Sequence, residues 1–333
     1  MPSSKAPNDA TFSFCATVDG VRVDRLLADA TGCGRRRARS WLSLGFVRVD
    51  GWRVQAAELV RIGQRIDVTL EDEIEAVAPG ELSPTAPEPM RVLLESPTLL
   101  AVFKPAAVHS HQGRNKPTAA DFVESIIGSQ AQIGERPEEA GIAHRLDRDT
   151  SGVLLVARNR QSYLMLREAF ATGQSRKFYL ALVDGRLSEQ CTIEQPLTRR
   201  ARHMVAAGPY DFALAARTFV EPLDGAQDWT LVLASMRTGV THQIRAHLAM
   251  IGHALLGDSL YGGRPAPSGT RSGQLLHAAR ITIPGLIDVS AAAPADFVGA
   301  YAALRRRANA VSTSRDRESA RQRGHTDNDG VIS

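Results

Sequence analysis

Between residues 13 and 70, apolar positions first follow a helical rhythm and then an alternating one. Val23, Leu26, Leu27 and Ala30 recur at the spacing that gathers side chains on one helix face, and Gly32 and Gly34 end the run. A second helix is predicted from Arg35 to Leu44, with Ala38, Trp41 and Leu42 as its apolar stripe and Gly45 placed to stop it. Arg36, Ser40 and Ser43 lie opposite that stripe, with Arg39 on the flank. Phe46-Val47-Arg48-Val49 and Trp52-Arg53-Val54 then flank Asp50-Gly51, a strong hairpin signal because both turn positions take positive φ. Arg61 to Val68 supplies a further turn and strand.

The rhythm is lost over residues 71–90, which hold six acidic side chains, no Lys or Arg, and a run of prolines from Pro79 to Pro89. Such a composition builds no core and predicts a semi-extended linker. From Arg91 the pattern is that of buried strands: Val92–Glu95, Leu99–Phe103, Leu154–Val156, Phe178–Val183 and Thr230–Leu233. An amphipathic helix at 161–172 carries Tyr163, Leu164, Leu166 and Phe170. Strands outnumber helices and do not strictly alternate with them, which predicts an α+β class. The expected partition is a disordered tail at 1–12, a small helix–hairpin domain at 13–70, the linker at 71–90, a large domain at 91–303 and a disordered tail at 304–333.

Composition narrows the functional classes. The chain of 333 residues is 43% hydrophobic, long enough for two cores. Its start lacks a signal-peptide pattern, and no run approaches the roughly 18 apolar residues of a membrane helix. Cys15, Cys33 and Cys191 fit neither a disulfide framework nor a Cys-x-x-Cys metal site, so a soluble cytoplasmic protein is expected. The net charge of +4 agrees only loosely with a polyanionic partner. Its distribution says more, because arginines crowd the helix–hairpin unit: Arg35, Arg36, Arg39, Arg48 and Arg53 are candidate RNA phosphate contacts. The plainer reading of that run is a solvated helix face.

No dinucleotide fingerprint or phosphate loop is present. His242 and His247 are five apart and do not stack as zinc ligands, and His109 and His111 lack a third partner, so no metal or cofactor is expected. Three polar segments instead sit beside apolar strands. They are Phe103-Lys104-Pro105, then His144 to Gly152, and finally Arg237 to His247 with its continuation through Gly262. Taken singly, Asp147 reads as a cap or turn residue, Tyr179 as core, and an Arg245–Asp147 contact as a structural ion pair.

Together these segments resemble the RluA family of pseudouridine synthases. The His-Arg-Leu-Asp-x-x-Thr-Ser-Gly pattern at 144–152 and the Thr-Gly-x-Thr-His-Gln-Ile-Arg-x-His pattern at 238–247 stand in the family's order. Lys104-Pro105 precedes them, Lys177-Phe178-Tyr179 lies between them and Leu276-His277-Ala278 follows. Residues 20–70 resemble the αL-type RNA-binding module first seen in a small-subunit ribosomal protein. The resemblance implies a mixed, largely antiparallel sheet with a central cleft, working without cofactor or metal. It makes Asp147 the nucleophile, Arg245 its ion-pair partner, Tyr179 the residue against the uracil, and Arg145 the group that fills the space left by a flipped base.

That assignment suits the chemistry. The N1–C1′ bond must break and C5 must join C1′, which calls for a carboxylate that attacks C1′ or stabilises positive charge there. Burial disfavours a charged carboxylate unless a cation compensates. The target base must also leave its stack. Asp149 is the weaker candidate, pointing away from Asp147 in extended chain. One departure stands out: Val240 occupies the place where the family usually has arginine, and Ala254 a place where proline is common. The expected substrate is ribosomal RNA, with transfer RNA as the alternative target. An inactive RNA-binding assembly factor and a glycosidase-like hydrolase are the competing classes, and a monomer suffices for any of them.

Overall fold

The computed structural model describes residues 11–31, 34–44, 47–69, 88–111, 117–128, 133–136 and 139–326, with backbone alone from 311 onward. Most of the expected linker, Gly45, residues 1–10 and residues 327–333 lie outside the described residues. No described helix is long and apolar enough to cross a membrane.

The N-terminal segment comprises β1 (Thr11–Cys15), β2 (Val21–Arg22), α1 (Val23–Thr31), α2 (Arg35–Leu44), β3 (Val47–Val49), β4 (Trp52–Arg53), β5 (Leu59–Val60) and β6 (Arg65–Thr69). Four of the strands form one sheet in the order β1-β6-β3-β4. At the β3–β4 turn Asp50 and Gly51 both have positive φ, 50° and 81°, as the hairpin requires. Leu27, Ala38, Trp41, Ile66 and Val68 close a core that belongs to this segment alone. Ala30 faces solvent, so the stripe of α1 is narrower than its sequence spacing suggests.

The larger body contains β7 (Arg91–Glu95), β8 (Leu99–Lys104), α3 (Ala119–Ile127), β9 (Ser151–Ala157), α4 (Arg160–Ala171), β10 (Arg176–Asp184), β11 (Cys191–Ile193), β12 (Leu197–Arg200), β13 (His203–Ala206), β14 (Thr218–Gly225), β15 (Trp229–Met236), α5 (Gln243–Met250), β16 (Leu276–Ile283), β17 (Ile287–Ser290) and α6 (Ala295–Thr326). Nine strands build one sheet, β11-β14-β15-β10-β16-β9-β8-β7, with β17 added beside β16. The pairing of β16 with β9 is parallel, whereas the other pairs in this sheet are antiparallel.

Both faces of the sheet are covered, which explains apolar runs without alternation. On β9, Leu154 and Val156 enter one core, while Val153 and Leu155 enter another with Tyr163 and Leu166 of α4. On β10, Leu180 and Leu182 pack with Trp229 and with Phe297 of α6, and Tyr179 and Ala181 face the opposite way. Leu164, expected in the stripe of α4, is 53% exposed. Strand β7 is the sheet's edge, and Val92 is exposed instead of buried.

Two further differences concern the chain's organisation. Helix α6 continues to Thr326, through most of the segment expected to be a disordered tail. Ala, Arg, Glu and Gln carry intrinsic helix preference even without an apolar stripe. The N-terminal segment also lies directly against the larger body. Arg39 of α2 donates to Asp24 Oδ2 at 2.9 Å and to Glu221 Oε1 of β14 at 2.7 Å.

Candidate active site

The His144–Gly152 segment enters β9, and its last residue shows why the pattern ends in glycine. Gly152 has φ 123°, and a Cβ there would lie 2.2 Å from the Ala278 carbonyl oxygen on the parallel neighbour β16. Any side chain would separate the two strands that position the segment.

Upstream, the backbone on either side of Asp147 is fastened from below. Ser110 Oγ accepts from Leu146 N at 3.0 Å and donates to Leu146 O at 2.9 Å. Lys104, fully buried at the end of β8, donates to Pro105 O, Val108 O and Arg148 O at 2.8, 2.7 and 3.1 Å. Burial, aided by the charge of Arg271, lowers the Lys104 pKa to about 7. This lysine anchors the turn and makes no direct contact with the Asp147 carboxylate among the described residues. A bond from Thr150 N to Asp147 O, 3.1 Å long, closes the turn.

Arg245, one turn into α5, reaches Asp147 across 98 residues of sequence. Its Nη1 donates to Asp147 Oδ2 at 2.8 Å. Its other edge, Nε and Nη2, donates to Asp258 Oδ2 and Oδ1 at 2.7 and 2.8 Å, a bidentate pair. Burial works against the guanidinium's charge, but Asp258 and Asp147 outweigh it and hold the pKa above the ordinary arginine value. The carboxylate of Asp258 is only 1% exposed, that of Asp147 21%. One carboxylate is therefore structural in its surroundings and the other opens to a cleft.

Behind Arg245 stands Tyr261, its ring 5.1 Å from the guanidinium carbon. Its hydroxyl accepts from Met204 N at 2.8 Å and lies 3.2 Å from Nδ1 of His242. The Nε2 of that histidine is 3.7 Å from Asp147 Oδ1, on the side opposite Arg245. His242 holds a left-handed backbone, φ 53°, at the entry to α5, a conformation uncommon outside glycine. Gln243 secures this turn: its Oε1 accepts from Thr238 Oγ1 and Val240 N, and its Nε2 donates to Arg217 O and Thr218 Oγ1.

Asp147, Tyr179, Arg245, Arg145 and Val240 all line a cleft of about 360 Å³. That volume lies within the roughly 300–1,000 Å³ of small-ligand sites. Tyr179 is aimed into it at a β-bulge, where the pairing with β16 shifts register between Phe178 and Tyr179. Burial raises the tyrosine's pKa, and the Asp147 charge raises it further, so at neutral pH it is a protonated phenol. Arg145 stands exposed at the cleft's mouth. Ile244 and Leu276 supply an apolar floor.

The arginines proposed for the N-terminal segment are differently placed. Arg36 is exposed, and Arg35 is exposed with Nη2 3.6 Å from Asp24. Arg48 is exposed and donates to Gly51 O. The side chain of Arg53 lies outside the described residues. Arg39 is engaged by two carboxylates and fastens its segment to β14, a contact that sequence spacing cannot reveal. Sequence reasoning also missed Asp258, Tyr261 and His242 as parts of the site. Their signal was position alone: His242 stands in the pattern at 238–247, and Asp258 and Tyr261 in its polar continuation between Gly257 and Gly262.

The histidines give the fold a pH dependence. His277 is fully buried, its Nε2 donating to Ala291 O and its Nδ1 3.0 Å from Ser151 Oγ. Burial lowers its pKa to about 4 and that of His144 to about 3. Unfolded histidines bind protons near pH 6.5, so the unfolded state takes up more protons below that value. Stability is thus full above pH 6.5 and falls as pH drops toward 4. We expect urea unfolding midpoints to decline from pH 6.5 to 5, as the unfolding free energy falls by up to about 1.4 kcal/mol per pH unit for each histidine. A midpoint constant across that interval would contradict the neutral, buried state of both rings.

A family model described as RNA pseudouridylate synthase matches residues 98–250. A Haemophilus ducreyi protein named "Ribosomal large subunit pseudouridine synthase D" is 30% identical over 314 residues, covering 89% of this chain and 94% of its own. An "Uncharacterized RNA pseudouridine synthase" of Chloroflexus aurantiacus is 35% identical over 266 residues, covering 79% and 82%. Among solved structures, "Human RNA Pseudouridylate Synthase Domain Containing 4" shares the fold at a TM-score of 0.53 and 22% identity, covering 64% of this chain and 92% of that one.

Proposed function

The chain belongs to the RNA pseudouridylate synthase family, and from that premise we propose that it isomerises uridines of large-subunit ribosomal RNA with Asp147 as the attacking carboxylate. Its reaction is that of an RNA pseudouridine synthase; the choice of RNA follows the name of the relative that matches nearly end to end. The observation that carries the residue assignment is the asymmetric ion pair. Arg245 has its Nε edge fixed by buried Asp258, and its remaining donor holds Oδ2 of the carboxylate that opens to the cleft.

In this reading the target uridine is flipped into the cleft, at a cost of a few kcal/mol in lost stacking. The Asp147 carboxylate engages C1′ as the N1–C1′ bond breaks, which gives the glycosyl carbon a partner while the uracil turns. Bond formation between C5 and C1′ releases the carboxylate, and the C5 proton leaves while N1 gains one, so the reaction is balanced without a co-reactant. Tyr179 forms one wall for the base. As a neutral phenol it serves as a packing surface and proton relay rather than as a standing base. Arg145, exposed and lining the cleft, would occupy the position that the flipped base vacates. Asp147, Arg245, Asp258 and Tyr179 all come from one chain, so a monomer suffices.

The test is to incubate the protein with total RNA from cells lacking its gene and to map pseudouridine chemically. New pseudouridine in large-subunit RNA is expected. Modification confined to transfer RNA would overturn the target, and release of free uracil would overturn the isomerase chemistry.

A further inference from the structure

The two carboxylate oxygens of Asp147 have different surroundings. Oδ2 is held by Arg245 Nη1 at 2.8 Å, whereas Oδ1 accepts no hydrogen bond among the described residues and has His242 Nε2 3.7 Å away. We infer that His242 is a positioning residue for the attacking carboxylate, its Nε2–H directed at Oδ1 by a hydrogen bond from the Tyr261 hydroxyl. The inference rests on the reading of Asp147 as the nucleophile and specifies which of its oxygens attacks.

The tautomer follows from the hydroxyl. Tyr261 Oη accepts from Met204 N of β13 at 2.8 Å, so its own proton has to go to another acceptor. Among the described residues that acceptor is His242 Nδ1, 3.2 Å away. An uncharged imidazole that accepts at Nδ1 carries its proton on Nε2. Nε2 is the nitrogen that faces Asp147. Donation therefore runs one way, from Met204 N–H through Tyr261 and His242 toward the carboxylate. Burial, with the charges of Arg245 and Arg145, outweighs the pull of Asp147 and Asp258 and keeps the His242 pKa below the ordinary histidine value, so the ring is neutral at pH 7.

Both rings are held. Tyr261 lies 5.1 Å from the Arg245 guanidinium carbon and edge-on to His242, with centroids 5.7 Å apart and planes at 87°. Packing of this kind asks only for an aromatic residue at 242. It gives no reason for a nitrogen to face the unoccupied oxygen of Asp147.

At 3.7 Å the donor is beyond hydrogen-bond distance, which leaves Oδ1 free to attack. Catalytic contacts that are long in the free enzyme commonly tighten with substrate bound. Oδ1 gives an electron pair to C1′ as the N1–C1′ pair leaves with the uracil. That pair returns to Oδ1 when C5 bonds to C1′, and the proton lost from C5 is in net terms the one that N1 gains. His242 keeps its proton throughout. Its N–H acts most strongly as charge returns to Oδ1, because a carboxylate accepts a hydrogen bond better than an ester oxygen does.

Two amides that mimic opposite ends of the imidazole test the assignment. Asn places its amide near Nδ1 and tolerates a left-handed backbone, while Gln places its nitrogen near Nε2. On large-subunit RNA, His242→Asn is expected to lower kcat about tenfold to a hundredfold, as for one hydrogen bond to a charged acceptor, with KM and thermal midpoint unchanged. His242→Gln should restore most of that loss. Tyr261→Phe should slow the wild type about tenfold and leave the His242→Gln protein unaffected, because an amide needs no partner to fix its donor. That last comparison does not depend on the folding of His242→Asn. Wild-type kcat in His242→Asn, equal losses with Asn and Gln, or an equal effect of Tyr261→Phe in both backgrounds would each reduce the pair to packing and overturn the inference. The proposed function survives any of these results if Asp147→Asn is inactive in the same assay; an active Asp147→Asn protein would overturn both.

Discussion

Asp147→Ala is expected to abolish pseudouridine formation, with kcat falling by at least about a thousandfold, while RNA affinity changes by no more than a few fold. The split follows from the residue's position. Asp147 contributes one carboxylate to the cleft and no apolar packing, and its backbone is fastened independently by Ser110 at Leu146 and by Lys104 at Arg148. Removing the carboxylate should leave the loop where it is. In the proposed reading the contacts to phosphate and neighbouring bases fall to other groups, so binding should persist. Asp147→Asn sharpens the test, because it keeps shape and hydrogen-bonding capacity but removes the charge. Quantifying pseudouridine under single-turnover conditions, beside a direct binding isotherm, distinguishes the cases. Parallel loss of binding and turnover would make Asp147 a structural residue and return the site to the plain reading of an ion pair.

The depth at which the sequence could be read differs from element to element. The helix–hairpin segment was legible because its signals are local: the stripe of Ala38, Trp41 and Leu42, and Asp50-Gly51 at a turn that demands positive φ. Leu154 to Val156 announced a buried strand, but the order of the sheet did not follow from it. The parallel neighbour β16 lies more than a hundred residues away, and only the contact of Gly152 with Ala278 shows what the glycine is for. Asp147 and Arg245 came from a resemblance, since nothing in their spacing brings them together. Asp258 was invisible for a different reason. A buried carboxylate looks like any other aspartate until its partner is placed beside it. Arg39 misled in the opposite sense, because an arginine on a basic helix reads as a phosphate contact unless a facing carboxylate such as Glu221 is known. The helix beyond residue 304 was missed because the sequence reading sought apolar periodicity, whereas intrinsic helix preference needs none.

Asp258→Ala is expected to be the most damaging single change outside the cleft, lowering stability by about 3–5 kcal/mol because it leaves a buried guanidinium half-paired. Arg245 is 7% exposed and Asp258 1% exposed, so water cannot replace the lost oxygens. The effect on catalysis should exceed what unfolding explains. With Nε and Nη2 released from Asp258, the guanidinium is free to rotate and take Asp147 with two donors instead of one. That arrangement would tie up the oxygens that have to meet C1′, and we expect kcat to fall by about a hundredfold or more under conditions where the variant remains folded. A double variant separates the two consequences. Arg245→Met/Asp258→Leu removes both charges and should recover much of the lost stability, as apolar replacements of buried pairs commonly do. It should nevertheless stay inactive, because Asp147 then lacks its cation. Urea unfolding of the three proteins, read beside single-turnover rates, decides the matter. Wild-type kcat in folded Asp258→Ala would show that Arg245 is held in place by its helix and by Tyr261 alone, and that Asp258 serves only stability.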